Sequence, residues 1–526
     1  MKLKHLFYII SALLLGSCYK DIGNYDYLPF GDVQISFLPY MSYSATIGSE
    51  YSMSATVKSV STGDTTRFYD STLYDYEWNV NGTIISTKKD YHGICQLPTG
   101  QARGLYSVID KKTKERSMAN FVVNVSSAIN IGWLVLSDKN GKSNLTYTKW
   151  QNPSNGPQVF TPYLNAYSLF NQGKDLGSDP VRMVEHYGLG TGESEILIIQ
   201  NGGQGPVEIS GKTLSRAINT EQEFIGGQFP VGMRPLDVAY YGSSDYLLGS
   251  DSNLYSRASP TESFPMVIKH NRLYNPIPVR VEGGARFTRL ASGSYQTNVM
   301  LFYDDLNKRW LGTTNNSVYE SGIYTIISPE VINPTDFPEG FTPTHNYGTT
   351  KILYSTLTDA YPSETRSILR TQSGQYRYQR FNANYAAWTY NITCNPLSET
   401  VLPISTDVTG NSLFQILDRR QFIIFSGGVQ NDKVYYYNIE TGVVGLYKDF
   451  NGTSITSLRM NKSAGNVRNR NEELGVGLSN GTFLVMDVST MILTGGSAVE
   501  LFRLEGLGVI KDVIYKAYNY GNSFNN

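Results

Sequence analysis

Three stretches of this chain of 526 residues share one pattern, at 435–443, 484–492 and, more loosely, 302–310. In each, a strand-like run ends in an Asx residue, an aliphatic residue follows, and another strand run begins a few positions on. Asn438, Asp487 and Asp305 are the Asx residues. A short side-chain oxygen at such a position bonds backbone amides two residues on and starts a hairpin. Asn438 and Asp487 are 49 positions apart, while Asp305 and Asn438 are 133 apart. The longer interval is close to three units of about 44 residues, the size of one four-stranded propeller blade. Further segments of this kind begin near Trp133, Glu195, Tyr246, Asn298, Lys351, Gln421 and Leu474. The pattern predicts a six- to eight-bladed β-propeller-like domain over residues 131–515, followed by a tail at 516–526. Two packed sandwiches, the competing architecture, do not predict a period in the forties.

Composition agrees with an all-β chain. Forty-nine glycines beside 39 tyrosines, with only 17% charged residues, suit short strands and many turns. The length exceeds what one core organises, so more than one domain is expected. Residues 31–126 hold six strand-like runs, at 33–37, 51–57, 73–80, 83–87, 104–110 and 119–125. Asn81-Gly82 reads as a tight hairpin, because both central residues of a type I′ turn need positive φ. Phe121, Val123 and Val125 alternate onto one face. These features predict a small immunoglobulin-like sandwich with Trp78 in its core. A formal charge of −1 leaves no electrostatic footprint for nucleic acid.

The N-terminus reads as a lipoprotein signal. Lys2 and Lys4 precede an apolar run at 6–15, and the small pair Gly16 and Ser17 precedes Cys18. Residues 1–17 are then a signal peptide, Cys18 is the lipidation site, and 18–30 form a lipidated tether. The apolar run is too short to remain as a membrane span. Two or more acyl chains on Cys18 would anchor the mature chain stably.

No catalytic, metal or cofactor motif stands out. Gly477-Leu-Ser479-Asn-Gly481 fits the G-x-S-x-G pattern, but strand-like residues follow it where a nucleophile elbow needs a helix, and no histidine comes after it. His92, His186, His270 and His345 are solitary in sequence, without the pairing a zinc site shows. Asp138, Asn140 and Gly141 echo a calcium loop but read as a hairpin tip. Cys95 and Cys394 lack paired spacing and read as buried thiols. Tyr376, Tyr378, Phe381, Tyr385, Trp388 and Tyr390 crowd one stretch with Arg377 and Arg380. Such a stretch either packs as strand or offers a stacking surface for sugars or peptides, with Trp388 and Tyr390 as the candidate ligand-binding residues.

The leader at 18–27 resembles the start of PKD-like family lipoproteins of gut Bacteroidetes. So do the strand at 132–137, its turn at Asn140-Gly141 and Leu145 beyond. The resemblance implies a PKD-like sandwich followed by a propeller-like region. It further implies a surface-exposed outer-membrane lipoprotein beside a SusC/SusD-type TonB-dependent importer, serving as a non-enzymatic component that captures an oligopeptide or oligosaccharide ligand. It brings no catalytic residues. A propeller hydrolase or lyase acting on an extracellular polymer is the alternative, and a structural or adhesive surface protein is a third reading.

Overall fold

The computed structural model describes residues 32–37, 41–97, 100–126, 129, 131–151, 159–188, 193–241, 244–258, 273–291, 299–313, 318–320, 323–325, 330–334, 336–358, 364–386, 391–417, 420–461 and 472–516. Nearly all regular structure among them is strand, and the chain divides into two compact units, Met1–Ser126 and Ser127–Asn526. Cys18 lies outside the described residues. No helix among them is long and apolar enough to cross a membrane.

The first unit is the expected sandwich, with more strands than the sequence pattern gave. Its largest sheet runs Ser42–Thr46, Arg116–Ser126, Gly100–Asp110, Tyr74–Val80, Thr83–Ser86, the first pair parallel. Ser42–Thr46 has only Tyr43 and Ala45 on its inner face, too faint an alternation to stand out among serines. The run at 51–57 divides at Ser54. Glu50–Met53 pairs with Tyr91–Ile94, and Ala55–Ser59 pairs with Val33–Phe37, so one extended stretch serves two small sheets. Asn81 and Gly82 both take positive φ, 50° and 86°, as the hairpin requires. Trp78 is fully buried among Phe37, Tyr43, Tyr106 and Phe121, with ring centroids 4.3–6.4 Å away. Its indole N–H donates to the carbonyls of Lys88 and Lys89 at 3.1 Å, so the buried donor is satisfied.

Among the described residues the second unit strings seven four- or five-stranded sheets along the chain. Counted by first strand, the second to seventh begin with Ser178–Gly188, Pro235–Tyr241, Phe287–Ala291, Lys351–Leu357, Phe414–Ile416 and Ile455–Met460. From the second sheet to the seventh, each packs on the next through an apolar cluster. Val184, Leu197, Val238 and Leu247 join the second and third sheets, and Phe287, Phe302, Tyr246 and Leu248 the third and fourth. Similar clusters follow between fourth and fifth, fifth and sixth, and sixth and seventh. The succession turns back on itself. Trp133 and Val135 of the first sheet pack with Phe483 and Val485 of the seventh. The first sheet itself is Val159–Tyr163, Lys142–Gln151, Gly132–Lys139 and Val509–Lys516, so a strand from the end of the unit completes a sheet from its start. Radial repetition of this kind is a β-propeller-like body, and it covers sheet faces without long free edges.

Two details of the repeat differ from the sequence pattern. In the loosest copy the turn-forming residue is Asp304 rather than Asp305, its Oδ1 accepting from the amides of Leu306 and Asn307 at 3.0 and 3.4 Å. The interval from there to Asn438 spans two sheets, not three, because residues 314–350 stand between the strands Arg309–Thr313 and Lys351–Leu357 and the fifth sheet carries strands of 11 and 12 residues. Asn438 and Asp487 do cap as expected, Asn438 Oδ1 accepting from Glu440 at 2.9 Å and Asp487 Oδ1 from Ser489 at 2.8 Å. After Asp487, however, the short helix Thr490–Gly495 intervenes before the strand Val499–Leu504.

Candidate functional site

The second and third sheets enclose a group of charged side chains that backbone register explains. His186 and Glu195 are cross-strand partners, and Glu208 lies opposite Leu197, two residues along from Glu195. Side chains two apart on a strand share a face, so His186, Glu195 and Glu208 project together. Asp245 and Arg257 are likewise cross-strand partners in the third sheet. All five are buried.

The contacts form a chain. His186 Nε2 is 3.0 Å from Glu208 Oε2, and its Nδ1 is 3.4 Å from Asp245 Oδ1. Arg257 Nε donates to Asp245 Oδ2 at 2.9 Å, its Nη1 donates to Glu223, and its Nη2 stands 3.8 Å from Glu195. The guanidinium lies over the ring of Tyr274, 4.6 Å from its centroid. Burial disfavours the charge on Arg257, but Tyr274, Glu223, Asp245 and Glu195 outweigh it, holding the group charged. Burial above all keeps the Tyr274 phenol protonated, its pKa raised well above the ordinary range. An imidazole with two carboxylates, their ligand atoms within 4.8 Å of one another, is a donor set that suits a metal ion.

A second feature lies on the fifth sheet. Thr349, Thr350, Thr371, Gln372, Ser373, Gln375 and Arg377 line an open depression of about 580 Å³. Hydroxyls and amides dominate it. Its single charged side chain is steadied from behind, Arg377 Nη1 donating to Glu399 Oε1 at 2.9 Å and to the Gly340 carbonyl at 3.2 Å.

The aromatic stretch beside it divides. Tyr376, Tyr378 and Phe381 are buried in the joints of the fifth sheet with its neighbours, and Tyr385 packs at the same edge. Arg380 makes a two-pronged pair with Glu364, Nη2 at 2.7 Å and Nε at 3.1 Å. Trp388 and Tyr390 lie outside the described residues, as does His270. Ser479 sits in the turn between the strands Glu473–Leu478 and Phe483–Asp487, where Gly481 takes φ 85°, so no nucleophile elbow forms. Gly141 N donates to Asp138 Oδ1 at 2.9 Å in a hairpin tip. His92 lies exposed beside Ser52, and His345 stacks on Phe337. Cys95 and Cys394 are buried thiols in different units and are not joined in a disulfide.

His186 is the residue that the sequence pattern passed over. A histidine with no motif partner gains its neighbours only through strand pairing. The strands pair from Gly188 opposite Glu193 to His186 opposite Glu195, a register one residue off the centre of the Gly188-Leu-Gly-Thr-Gly192 stretch, so counting outward from those glycines would have set His186 against Ser194.

Residues 18–180 match the profile of the PKD-like family. No curated protein matches the chain. Among solved structures, the chain is similar to a quinonprotein alcohol dehydrogenase-like protein from Bacteroides thetaiotaomicron VPI-5482, with 14% identity over 92% of this chain and 99% of that one, at a TM-score of 0.47. It is also similar to AztD from Citrobacter koseri, with 11% identity over 86% and 100% of the chains and a TM-score of 0.32. Human WBSCR16 shows 10% identity over 72% and 97%, with a TM-score of 0.35.

Proposed function

We propose that this chain is an outer-membrane lipoprotein, anchored through acylated Cys18, that works as a non-enzymatic binding component of a SusC/SusD-type importer for oligopeptides or glycans. The observation that carries the binding part is the depression on the fifth sheet. It is open, hydroxyl- and amide-lined, and its one guanidinium is held in place by Glu399, so it offers an array of hydrogen bonds to a polar extended ligand. Preorganised donors reduce the ordering cost of binding. The PKD-like match at the N-terminal end and the propeller-like body are consistent with a surface binding or structural role. The lipid anchor rests on the residues around Cys18, and the importer on the resemblance of the leader and the 132–137 strand to envelope lipoproteins. Tethering beside the barrel would raise the local ligand concentration at its mouth, so weak contacts suffice.

The test has two arms. Affinity capture from detergent-solubilised outer membranes is expected to bring down a TonB-dependent barrel, and recovery of none removes the importer from the reading. Calorimetric titration with oligosaccharide and oligopeptide pools is expected to show binding that weakens in Arg377→Ala. Turnover of either pool by the purified chain would favour the polymer-degrading enzyme instead.

A further inference from the structure

We propose that His186, Glu195 and Glu208 form a binding site for a divalent first-row transition cation of the zinc class. One atom from each residue lies within 4.8 Å of the others, and all three side chains are buried. His186 Nε2 and Glu208 Oε2 are 3.0 Å apart. That is close to the separation of two atoms each about 2.1 Å from a shared cation.

A second, independent observation points to the ligand. Glu208 is fully buried, yet its Oε1 has no hydrogen-bond partner among the described residues. A carboxylate oxygen taken out of water and left without a partner is strongly disfavoured, and a cation bound by Glu208 removes that penalty. The surroundings of the imidazole fit the same assignment. Its Nδ1 faces Asp245, which is in turn held by Arg257, so the ring is fixed with Nε2 toward Glu208. An outer carboxylate of this kind orients metal-bound histidines and raises their basicity. One imidazole and two carboxylates suit zinc or manganese rather than a soft monovalent metal. Three protein ligands leave a fourth position for water. Because the ligands stand on Ser178–Gly188, Glu193–Gly202 and Val207–Ser210, the bound ion fastens three adjacent strands of one sheet.

The full chain, stripped with EDTA, is given zinc chloride, desalted and assayed for metal by mass spectrometry, and its melting temperature is read with and without zinc. The proposal expects about one zinc per chain and a melting temperature that rises with zinc. His186→Gln and Glu208→Gln lose both, and Asp245→Asn binds about 10–100-fold more weakly. A wild-type chain that keeps no zinc and melts unchanged overturns the proposal, as does full zinc retention in both glutamine variants. Should those variants not fold, wild-type chain loaded with cobalt(II) decides. A visible band of four- or five-coordinate cobalt without thiolate charge transfer supports the site, and the weak spectrum of the hydrated ion refutes it.

Discussion

Trp133 and Tyr515 are cross-strand partners, and their rings meet edge to face with centroids 5.0 Å apart at 74°. One belongs to the strand Gly132–Lys139 near the start of the second unit, the other to Val509–Lys516 near its end. Both are buried in the cluster that joins the first sheet to the seventh. Trp133→Ala should therefore cost about 3–5 kcal/mol of stability, the usual range for a fully buried tryptophan. Denaturant unfolding of the second unit checks it, and a loss below 1 kcal/mol would mean that this contact does not hold the ring closed.

Gly475 faces the same tryptophan. A Cβ there would sit 2.4 Å from Trp133 Cζ3, so the glycine is kept by the aromatic ring and not by its own backbone, which needs no positive φ. Gly475→Ala should destabilise by about 1–3 kcal/mol through overpacking. Combined with Trp133→Ala it should cost little more than the tryptophan change alone. A double-mutant cycle showing simple additivity contradicts the contact.

Lys516 gives a signed pH dependence. The side chain is fully buried, and burial lowers its pKa to about 8, with Glu185 acting in the opposite direction. The unfolded lysine titrates near 10.4. Between these values the unfolded chain holds the proton that the folded chain has released, so this group makes stability rise with pH across that window. From pH 8 to 10 wild type should gain about 2 kcal/mol relative to Lys516→Met. Paired melting curves at the two pH values measure the difference, and parallel curves contradict it.

The thiols should be silent. Burial raises the pKa of Cys95 and pushes that of Cys394 up to about 11, and the thiolate is the reactive form. Ellman's reagent should leave both unmodified in the native chain and modify both after unfolding. Rapid native labelling of either would show that its cover opens.

Much of the fold was written in the sequence because one strand per sheet is covered on both faces. Glu195, Tyr246, Gln421 and Leu474 fall on or beside the second strands of their sheets, which read as continuous apolar runs such as Phe422–Gly427 and Glu473–Leu478. First and outer strands carry polar residues and were harder to see. Ser42–Thr46 was missed for that reason, and Asp304 was misplaced by one residue because adjacent aspartates compete for the same turn. The buried charge cluster was not legible. Its members are ordinary in sequence, and only the register of Ser178–Gly188 on Glu193–Gly202, followed by the docking of the third sheet, turns them into one group. The aromatic stretch misleads in the other direction, since Tyr376, Tyr378 and Phe381 fill joints between sheets.

The pairing of Val509–Lys516 with Gly132–Lys139 also sets a schedule. The strand that completes the first sheet comes from the far end of the unit in sequence, so the second unit remains an open arc until Val509–Lys516 has docked. Closure is thus a long-range event. A chain cut short before Val509 would leave that edge of Gly132–Lys139 unpaired and uncover Trp133 and Val135.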